Sequence, residues 1–266
     1  MHLVTVPATL SLMRGQLEFS AQSGFDVHLV TAFGTHQPRV KGKEGVTFHS
    51  IPMKRRLDPI TDSASLARIA TLVARLKPDI VQAGTPKAAL LGMVASRLLR
   101  IPIRIYHVRG LAHMTGSRGP ALAAELSERM CCALATHVLC VSQSVRKHLI
   151  EGGFCPRDKA TVLLRGSSNG VDAEERFNPD TMASTRGELR RSLGIAPDSM
   201  VLGFVGRLVR DKGIADLAAA WQRLREVFPR AVLLLVGPFE EGDAVPATLR
   251  AMLEDDPRVR IAQTDC

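Results

Sequence analysis

Residues 203–213 read GFVGRLVRDKG, and this stretch predicts a strand, a turn and the first residues of a helix. Gly206 follows the apolar run and lets a ligand approach the backbone closely. Arg207 and Lys212 stand at the two ends of the turn, where the positive end of the helix dipole adds to their charge. The spacing fits a diphosphate site and an ordinary turn with solvated charges equally well. It is neither a P-loop nor a G-x-G-x-x-G turn.

Short apolar runs alternate with longer amphipathic stretches on both sides of this turn, which predicts an α/β fold of parallel strands covered by helices. The predicted strands are 2–6, 27–31, 46–51, 79–82, 103–106, 137–141, 200–204, 231–236 and one from 258. The predicted helices are 10–23, 63–76, 87–99, 121–135, 144–151, 212–227 and 246–254.

The pattern predicts two Rossmann-like, doubly wound domains, of which the second is truncated. The first domain covers residues 1–175, and the partial second domain covers residues 176–266. A connection rich in Gly, Ser and Pro joins them over about 165–199. Because the second domain stops after few strands, we expect the chain to be incomplete at its C-terminus.

The chain is basic, with a net charge of +9 and a pI of about 9.8. Such a charge suits nucleic acid, an anionic membrane or phosphorylated substrates. Because no RNP-like, zinc-finger or basic-zipper pattern is present, we predict no nucleic-acid partner. The basic residues Lys41, Lys43 and 54–56 could attract an anionic membrane. A solvated loop is the favoured alternative for them.

The five cysteines have no C-x-x-C spacing, which favours a reduced compartment over a disulfide framework or a structural zinc site. No apolar run is long enough to span a membrane, and the N-terminus lacks a signal-peptide pattern. We therefore predict a cytoplasmic protein that could rest on the inner face of a membrane.

Four segments, in order, resemble glycosyltransferase family 4, whose fold is the GT-B type. The resemblance is to bacterial members that build capsule, exopolysaccharide or lipid-linked oligosaccharide, and it covers nearly the whole chain. The segments are residues 5–16, residues 86–92 leading to 105–111, the junction 167–172 followed by 176–179, and the stretch 203–213.

The resemblance implies an N-terminal domain that binds the acceptor and a C-terminal domain that binds a nucleotide-sugar, with the reaction in the cleft between them. The resemblance favours a UDP-sugar as the donor and implies a glycan or a lipid-linked sugar as the acceptor. The family retains anomeric configuration. Arg207 and Lys212 would neutralise the departing diphosphate, so we expect no metal site and no further cofactor.

Further candidate residues follow from the same resemblance. His107 would orient the acceptor or hydrogen-bond the donor sugar, although many relatives carry a histidine two residues later, where this chain has Arg109. Arg109 is an equal candidate for binding an anionic acceptor or a phosphate. Gly15 either lets the backbone approach a substrate or packs inside a helix. Asn169, Gly170 and Asp172 are expected to shape the hinge.

The chain departs from the family at its end. Relatives carry two glutamates, E-x7-E, that hold the donor, and Glu240-Glu241 is not that motif. We expect the isolated chain to be nearly inactive. A catalytically dead remnant, or another GT-B enzyme such as a nucleotide-sugar epimerase, is the alternative. Asp255-Asp256 is interpreted as a solvated helix cap.

Overall fold

The computed structural model of the chain describes residues 1–32, 45–54, 58–111, 114, 118–167 and 170–262. It contains two compact units, Met1–Gly170 and Val171–Cys266. Both are built from parallel strands and helices, so the predicted α/β class is confirmed.

The first unit has a seven-stranded parallel sheet in the order β3-β2-β1-β4-β5-β6-β7. Its strands are β1 His2–Leu3, β2 Val27–Thr31, β3 Val46–Ser50, β4 Ile80–Ala83, β5 Ile103–Val108, β6 His137–Cys140 and β7 Ala160–Thr161. Its helices are α1 Gln16–Gln22, α2 Pro59–Leu76, α3 Pro86–Leu98, α4 Arg118–Leu134 and α5 Gln143–Glu151. The strand order reverses between β1 and β4, and such a reversal opens a crevice at the carboxyl ends of the strands.

Helix boundaries in the first unit follow capping chemistry. The Asp58 side chain accepts a hydrogen bond from the Thr61 N–H, and Pro59 opens α2 with a backbone already suited to a helix. Pro86 opens α3 in the same way, immediately after Gly84 and Thr85 at the end of β4. The side chains at the start of α3 are therefore held at the edge of the crevice.

The predicted continuous helix over residues 10–23 is wrong. A 3₁₀ helix covers Pro7–Met13, and α1 begins only at Gln16. Gly15 separates them with a φ of 75°, a left-handed conformation that ends any helix running into it.

The second unit has a three-stranded parallel sheet in the order β10-β9-β8. Its strands are β8 Val201–Val205, β9 Val232–Val236 and β10 Val259–Ala262, and its helices are α6 Ala183–Ser192, α7 Ile214–Val227 and α8 Ala247–Glu254. Helix α6 lies inside the stretch that the sequence predicts as connection.

The interpretation of Asp256 as a solvated cap is wrong. Asp256 is 7% exposed, and its carboxylate accepts a hydrogen bond of 2.9 Å from the indole N–H of Trp221, a fully buried core residue. The carboxylate also accepts from the backbone N–H of Arg258, at 2.9 Å. Asp256 therefore ties α7 to the start of β10.

The cysteines that the structure describes, Cys131, Cys132, Cys140 and Cys155, are buried and unbridged. None of the helices in the described part of the chain is both long and apolar enough to cross a membrane.

Candidate functional site

A cavity of about 350 Å³ lies at the carboxyl ends of β4 and β5 in the first unit. Thr9, Gly84, Thr85, His107 and Arg109 line it together with apolar side chains. Its position beside the reversal of strand order is where open α/β sheets place ligands. The cavity thus brings together His107 and Arg109, the two residues that the resemblance makes catalytic candidates.

Arg109 holds a buried charge in this cavity. Its Nε and both Nη atoms are buried, and none has a hydrogen-bond partner among the residues that the structure describes. Burial lowers the pKa of this guanidinium from its ordinary value, since the charged form loses hydration.

Gly84 makes room for this side chain. A Cβ at position 84 would lie 2.4 Å from Nη1 of Arg109, which is far inside van der Waals contact. The close approach of Arg109 to the glycine at the end of β4 was missed by the sequence analysis. The signal available was a glycine directly after the apolar run 80–83 and before the Thr-Pro that starts a helix.

His107 is neutral at physiological pH. It is 3% exposed, and burial, reinforced by the charge of Arg109, lowers its pKa to about 4. The Gln82 amide donates to Nδ1 over 3.4 Å, so the neutral ring carries its proton on Nε2. His107 can therefore orient a hydroxyl or phosphate oxygen as a hydrogen-bond donor, but it is a weak general base near pH 7.

Thr5 and Thr85 connect β1 to the start of α3. Their hydroxyl oxygens lie 2.7 Å apart, and the Thr5 N–H donates to Thr85 Oγ1 over 2.9 Å. The Ala88 N–H donates to Thr5 Oγ1 over 3.3 Å. This network holds Thr85 in place in the cavity lining.

Gly15 is the N-cap of α1, with open space around it: a Cβ there would meet no atom within 4 Å. The alternative of a helix-interior glycine with a packing role is therefore wrong. A substrate role for Gly15 stays a prediction.

The second cluster of candidates lies at the ends of β8 and β9. The Gly206 N–H donates to the carbonyl of Val236 over 2.9 Å, and a Cβ on Gly237 would lie 2.1 Å from the Gly206 carbonyl oxygen. Gly206 and Gly237 have φ values of 155° and 140°. Gly237 was missed by the sequence analysis, although Val236-Gly237 repeats the Val205-Gly206 pattern of the neighbouring strand.

Arg207 and Lys212 are both about half exposed, and both are paired with carboxylates. Arg207 donates to Glu240 over 2.9 Å and lies 3.7 Å from Asp211. Lys212 lies 3.5 Å from the same Asp211 carboxylate. The cations predicted for the diphosphate are thus held in an alternating network of charges.

The turn between these cations is a 3₁₀ helix, Arg210–Lys212, and α7 begins at Ile214 behind the left-handed Gly213. The predicted start of α7 at Lys212 is therefore two residues early.

The hinge candidates are only partly described. Asn169 lies outside the described residues. Gly170 has a φ of 70°, and the Asp172 carboxylate accepts a hydrogen bond of 3.0 Å from the Glu175 N–H. Of the basic residues near 41–56, Lys54 pairs with Asp58 at 2.7 Å, and Lys41, Lys43, Arg55 and Arg56 lie outside the described residues. Within the described ranges, no group of three His, Cys, Asp or Glu side chains could hold a metal ion.

Comparison with known proteins extends these observations. Residues 8–166 match the family model described as a glycosyl transferase 4-like domain. The capsular polysaccharide biosynthesis glycosyltransferase CapM of Staphylococcus aureus is 34% identical over 97% of this chain, and the chain spans 66% of its length. An Escherichia coli UDP-Gal:alpha-D-GlcNAc-diphosphoundecaprenol alpha-1,3-galactosyltransferase is 29% identical over 70% of this chain and 47% of that protein.

Solved structures share the fold at low identity. HepE of Anabaena, solved in complex with UDP and glucose, has a TM-score of 0.71 at 18% identity, covering 100% of this chain and 69% of that one. The UDP-GlcNAc 2-epimerase of Neisseria meningitidis has a TM-score of 0.61 at 13% identity, covering 100% of this chain and 73% of that one. At such identities the likeness shows the fold alone, so it does not distinguish a transferase from an epimerase.

Proposed function

Because this chain belongs to the glycosyl transferase 4-like family, we propose that it moves a sugar from a nucleotide-sugar donor to a glycan or lipid-linked acceptor. Capsule or a similar surface polysaccharide is the proposed product. The observation that carries the proposal is the arrangement at the ends of β8 and β9, where Gly206 and Gly237 bring two backbones together beside Arg207 and Lys212.

The two cations suit the leaving group of such a reaction. When the bond between the sugar and the nucleotide breaks, negative charge grows on the diphosphate. Fixed positive groups stabilise that charge in the transition state. Arg207 offers a planar fork to two phosphate oxygens, and Lys212 adds a compact charge. We therefore propose a metal-independent transfer with UDP as the leaving group and with retention at the anomeric carbon.

The carboxylates around the cations control how strongly they bind. Glu240 and Asp211 hold Arg207 in one orientation, but they also offset its charge. A diphosphate must share or displace these contacts. The site therefore favours a doubly charged ligand over a singly charged one.

We propose that the acceptor substrate binds to the first unit. There, His107 offers a neutral Nε2–H in a cavity of small-molecule size. A lipid-linked acceptor would bring the protein to an anionic inner membrane face, where the basic residues near 41–56 add peripheral attraction. Sedimentation with vesicles that contain anionic or only neutral lipids tests this contact, and equal binding to both would contradict it.

Transfer itself is tested on the protein expressed from its native reading frame. A panel of UDP-sugars is offered with a polyprenyl-diphospho-sugar acceptor in the presence of EDTA, and the product's anomeric configuration is read by NMR. We expect Arg207→Gln to lower kcat/KM by about tenfold or more, since it loses charge-assisted bonds in the transition state.

The matched control is Arg230→Gln, which removes a surface arginine of the same unit that pairs with the exposed Asp198. It should leave transfer unchanged. Loss of transfer on adding EDTA, an inverted product, or equal effects of the two variants would contradict the proposal. If the protein epimerised the sugar of the donor in an assay without acceptor, that result would favour an epimerase.

A further inference from the structure

We propose that the cavity beside Arg109 binds the diphosphate of the acceptor, and that Arg109 is the residue that recognises it. The inference rests on the proposed function, because it assumes an acceptor of the lipid-linked class, in which a diphosphate joins sugar and lipid. It assigns a chemical class to a site that the family match alone leaves open.

The first step is the state of Arg109. A guanidinium has five N–H donors and stays charged, so burying it without partners carries a large free-energy penalty. Within the described residues, all three of its nitrogens are buried and unpaired. An arginine held in this way is best explained by an anionic ligand that supplies the missing acceptors.

The second step is the composition of the cavity. None of the described residues that line it carries a carboxylate, and they include Thr9, Thr85 and His107 as uncharged polar groups. The chain that follows β5 contains no Asp or Glu from Gly110 to Ala124, whereas it contains His113 and Arg118. That segment therefore supplies no carboxylate to neutralise Arg109, which leaves this role open to an anionic ligand.

The third step is the hydrogen-bonding capacity beside the arginine. Thr85 Oγ1 accepts from the Thr5 N–H, and Thr5 Oγ1 accepts from the Ala88 N–H. If Thr5 donates its hydroxyl proton to Thr85, the Thr85 hydroxyl is free to donate into the cavity. His107 adds its Nε2–H. Phosphate oxygens accept several such bonds at once, as a sugar hydroxyl cannot.

The fourth step is the source of the diphosphate. In the proposed function, the diphosphate of the donor binds to Arg207 and Lys212, which belong to the second unit. The cavity of the first unit then serves the other substrate. A nucleotide diphosphate in this cavity is the competing source, and the experiment separates the two.

Binding is measured on the native-frame protein by calorimetry with four probes. These are a farnesyl-diphospho-sugar, the farnesyl glycoside of the same sugar without the diphosphate, inorganic pyrophosphate and UDP. We expect Arg109→Met to weaken binding of the farnesyl-diphospho-sugar by about tenfold or more, because charge-assisted bonds are lost, and to abolish one of two pyrophosphate sites, the other being at Arg207 and Lys212. Binding of the neutral glycoside and of UDP should not change, and Arg109→Lys should fall between wild type and Arg109→Met.

A structural role for Arg109 makes different predictions. Because the guanidinium is buried without a partner, Arg109→Met should raise the midpoint of thermal unfolding, whereas a structural arginine would lower it when replaced. If Arg109→Met lost affinity for UDP but bound the farnesyl-diphospho-sugar normally, the cavity would be a donor site and the inference would be overturned. If wild type and Arg109→Met bound every probe equally well, the inference would also be overturned.

These outcomes are separate from failure of the proposed function. A wild-type protein that transfers sugar while Arg109→Met binds every probe normally would refute only the inference. A wild-type protein that binds diphosphates through Arg109 but never transfers sugar would refute only the proposed function.

Discussion

Arg207 donates a hydrogen bond of 2.9 Å to Glu240, and the two residues follow neighbouring strands, β8 and β9. This bond, with the nearby carboxylates, raises the pKa of Arg207 from its ordinary value. The cation proposed for the donor diphosphate is thus already paired with an anion before a ligand binds. Glu240 orients the guanidinium and competes with the phosphate for it.

Replacing Glu240 tests which of these effects dominates. Glu240→Gln keeps a hydrogen-bond acceptor for Arg207 and removes one negative charge from the site. We expect UDP to bind several-fold more tightly, since a half-exposed charge pair contributes about 1 kcal/mol or less. Calorimetry at low and at high salt measures the change, which should shrink as salt screens the charges.

Glu254→Gln is the matched control for this prediction. It removes a carboxylate of the same unit that pairs with Arg250 over 2.8 Å and does not contact Arg207 or Lys212. Tighter UDP binding in this variant would mean that overall charge, not Glu240, sets the affinity. Weaker binding in Glu240→Gln would mean that orientation matters more than competition.

The alternation of apolar and amphipathic stretches was sufficient to predict the α/β class and the strands of both sheets except β7, whose two residues are too few to show a pattern. The same pattern failed where single residues decide the backbone. Gly15 breaks a segment with continuous helical periodicity, and α6 forms in a stretch whose Gly and Pro content indicates a connection. Periodicity reports which faces are buried, whereas these features depend on local dihedral angles and on contacts with distant elements.

The candidate site was predictable in its residue types but not in their pairing. His107 and Arg109 were candidates through the family resemblance, and the structure adds that Arg109 fills the space left by Gly84. Arg207 and Lys212 were predicted as candidate cations for a diphosphate, and the structure adds their partner Glu240 from the next strand. Such partners are far apart in sequence, so no local spacing could indicate them.

Gly237 should tolerate no side chain. Gly237→Ala would place its Cβ 2.1 Å from the Gly206 carbonyl oxygen, at a φ of 140°. Because both the clash and the dihedral involve backbone, we expect a loss of at least about 3 kcal/mol in the free energy of unfolding of the second unit. Urea denaturation followed by the fluorescence of Trp221 reports on that unit.

The control for Gly237 is Gly187→Ala, within α6, where an added Cβ meets nothing within 4 Å. There alanine should stabilise the helix by about 0.5–1 kcal/mol. A loss at Gly187 as large as that at Gly237 would show that the close approach of the two strand ends is not the cause.

Gly15 and Gly24, which lie on either side of α1, form a second matched pair. Both have positive φ values, 75° and 88°, and both have open space for a Cβ. Alanine at either position should therefore cost about 1 kcal/mol in stability. If the backbone at Gly15 approaches a substrate, only Gly15→Ala should also raise the KM for donor or acceptor. Equal kinetics of the two variants would leave Gly15 with a conformational role alone.

Glu128 gives the first unit an unusual dependence on pH. Its carboxyl group is 3% exposed and accepts a hydrogen bond of 2.9 Å from the Tyr106 hydroxyl. Burial raises the pKa of Glu128 to about 7, although the bond from Tyr106 opposes the shift. The folded state therefore binds this proton more tightly than the unfolded state, so its contribution to stability is fully present below about pH 4.5 and is lost as the pH rises through about 7.

Glu128→Gln removes this titration and keeps an acceptor for Tyr106. At pH 4.5 wild type and variant should have similar free energies of unfolding. At pH 8 the variant should be more stable by about 3 kcal/mol, the equivalent of the shift in pKa. Chemical denaturation across this range measures the difference. Glu125→Gln, one turn earlier on α4 and paired with Arg129 at the surface, should show a difference of no more than about 1 kcal/mol at either pH. A Glu128→Gln curve parallel to that of wild type would mean that the pKa of Glu128 is the same in the folded and unfolded states, so that the hydrogen bond from Tyr106 cancels the effect of burial.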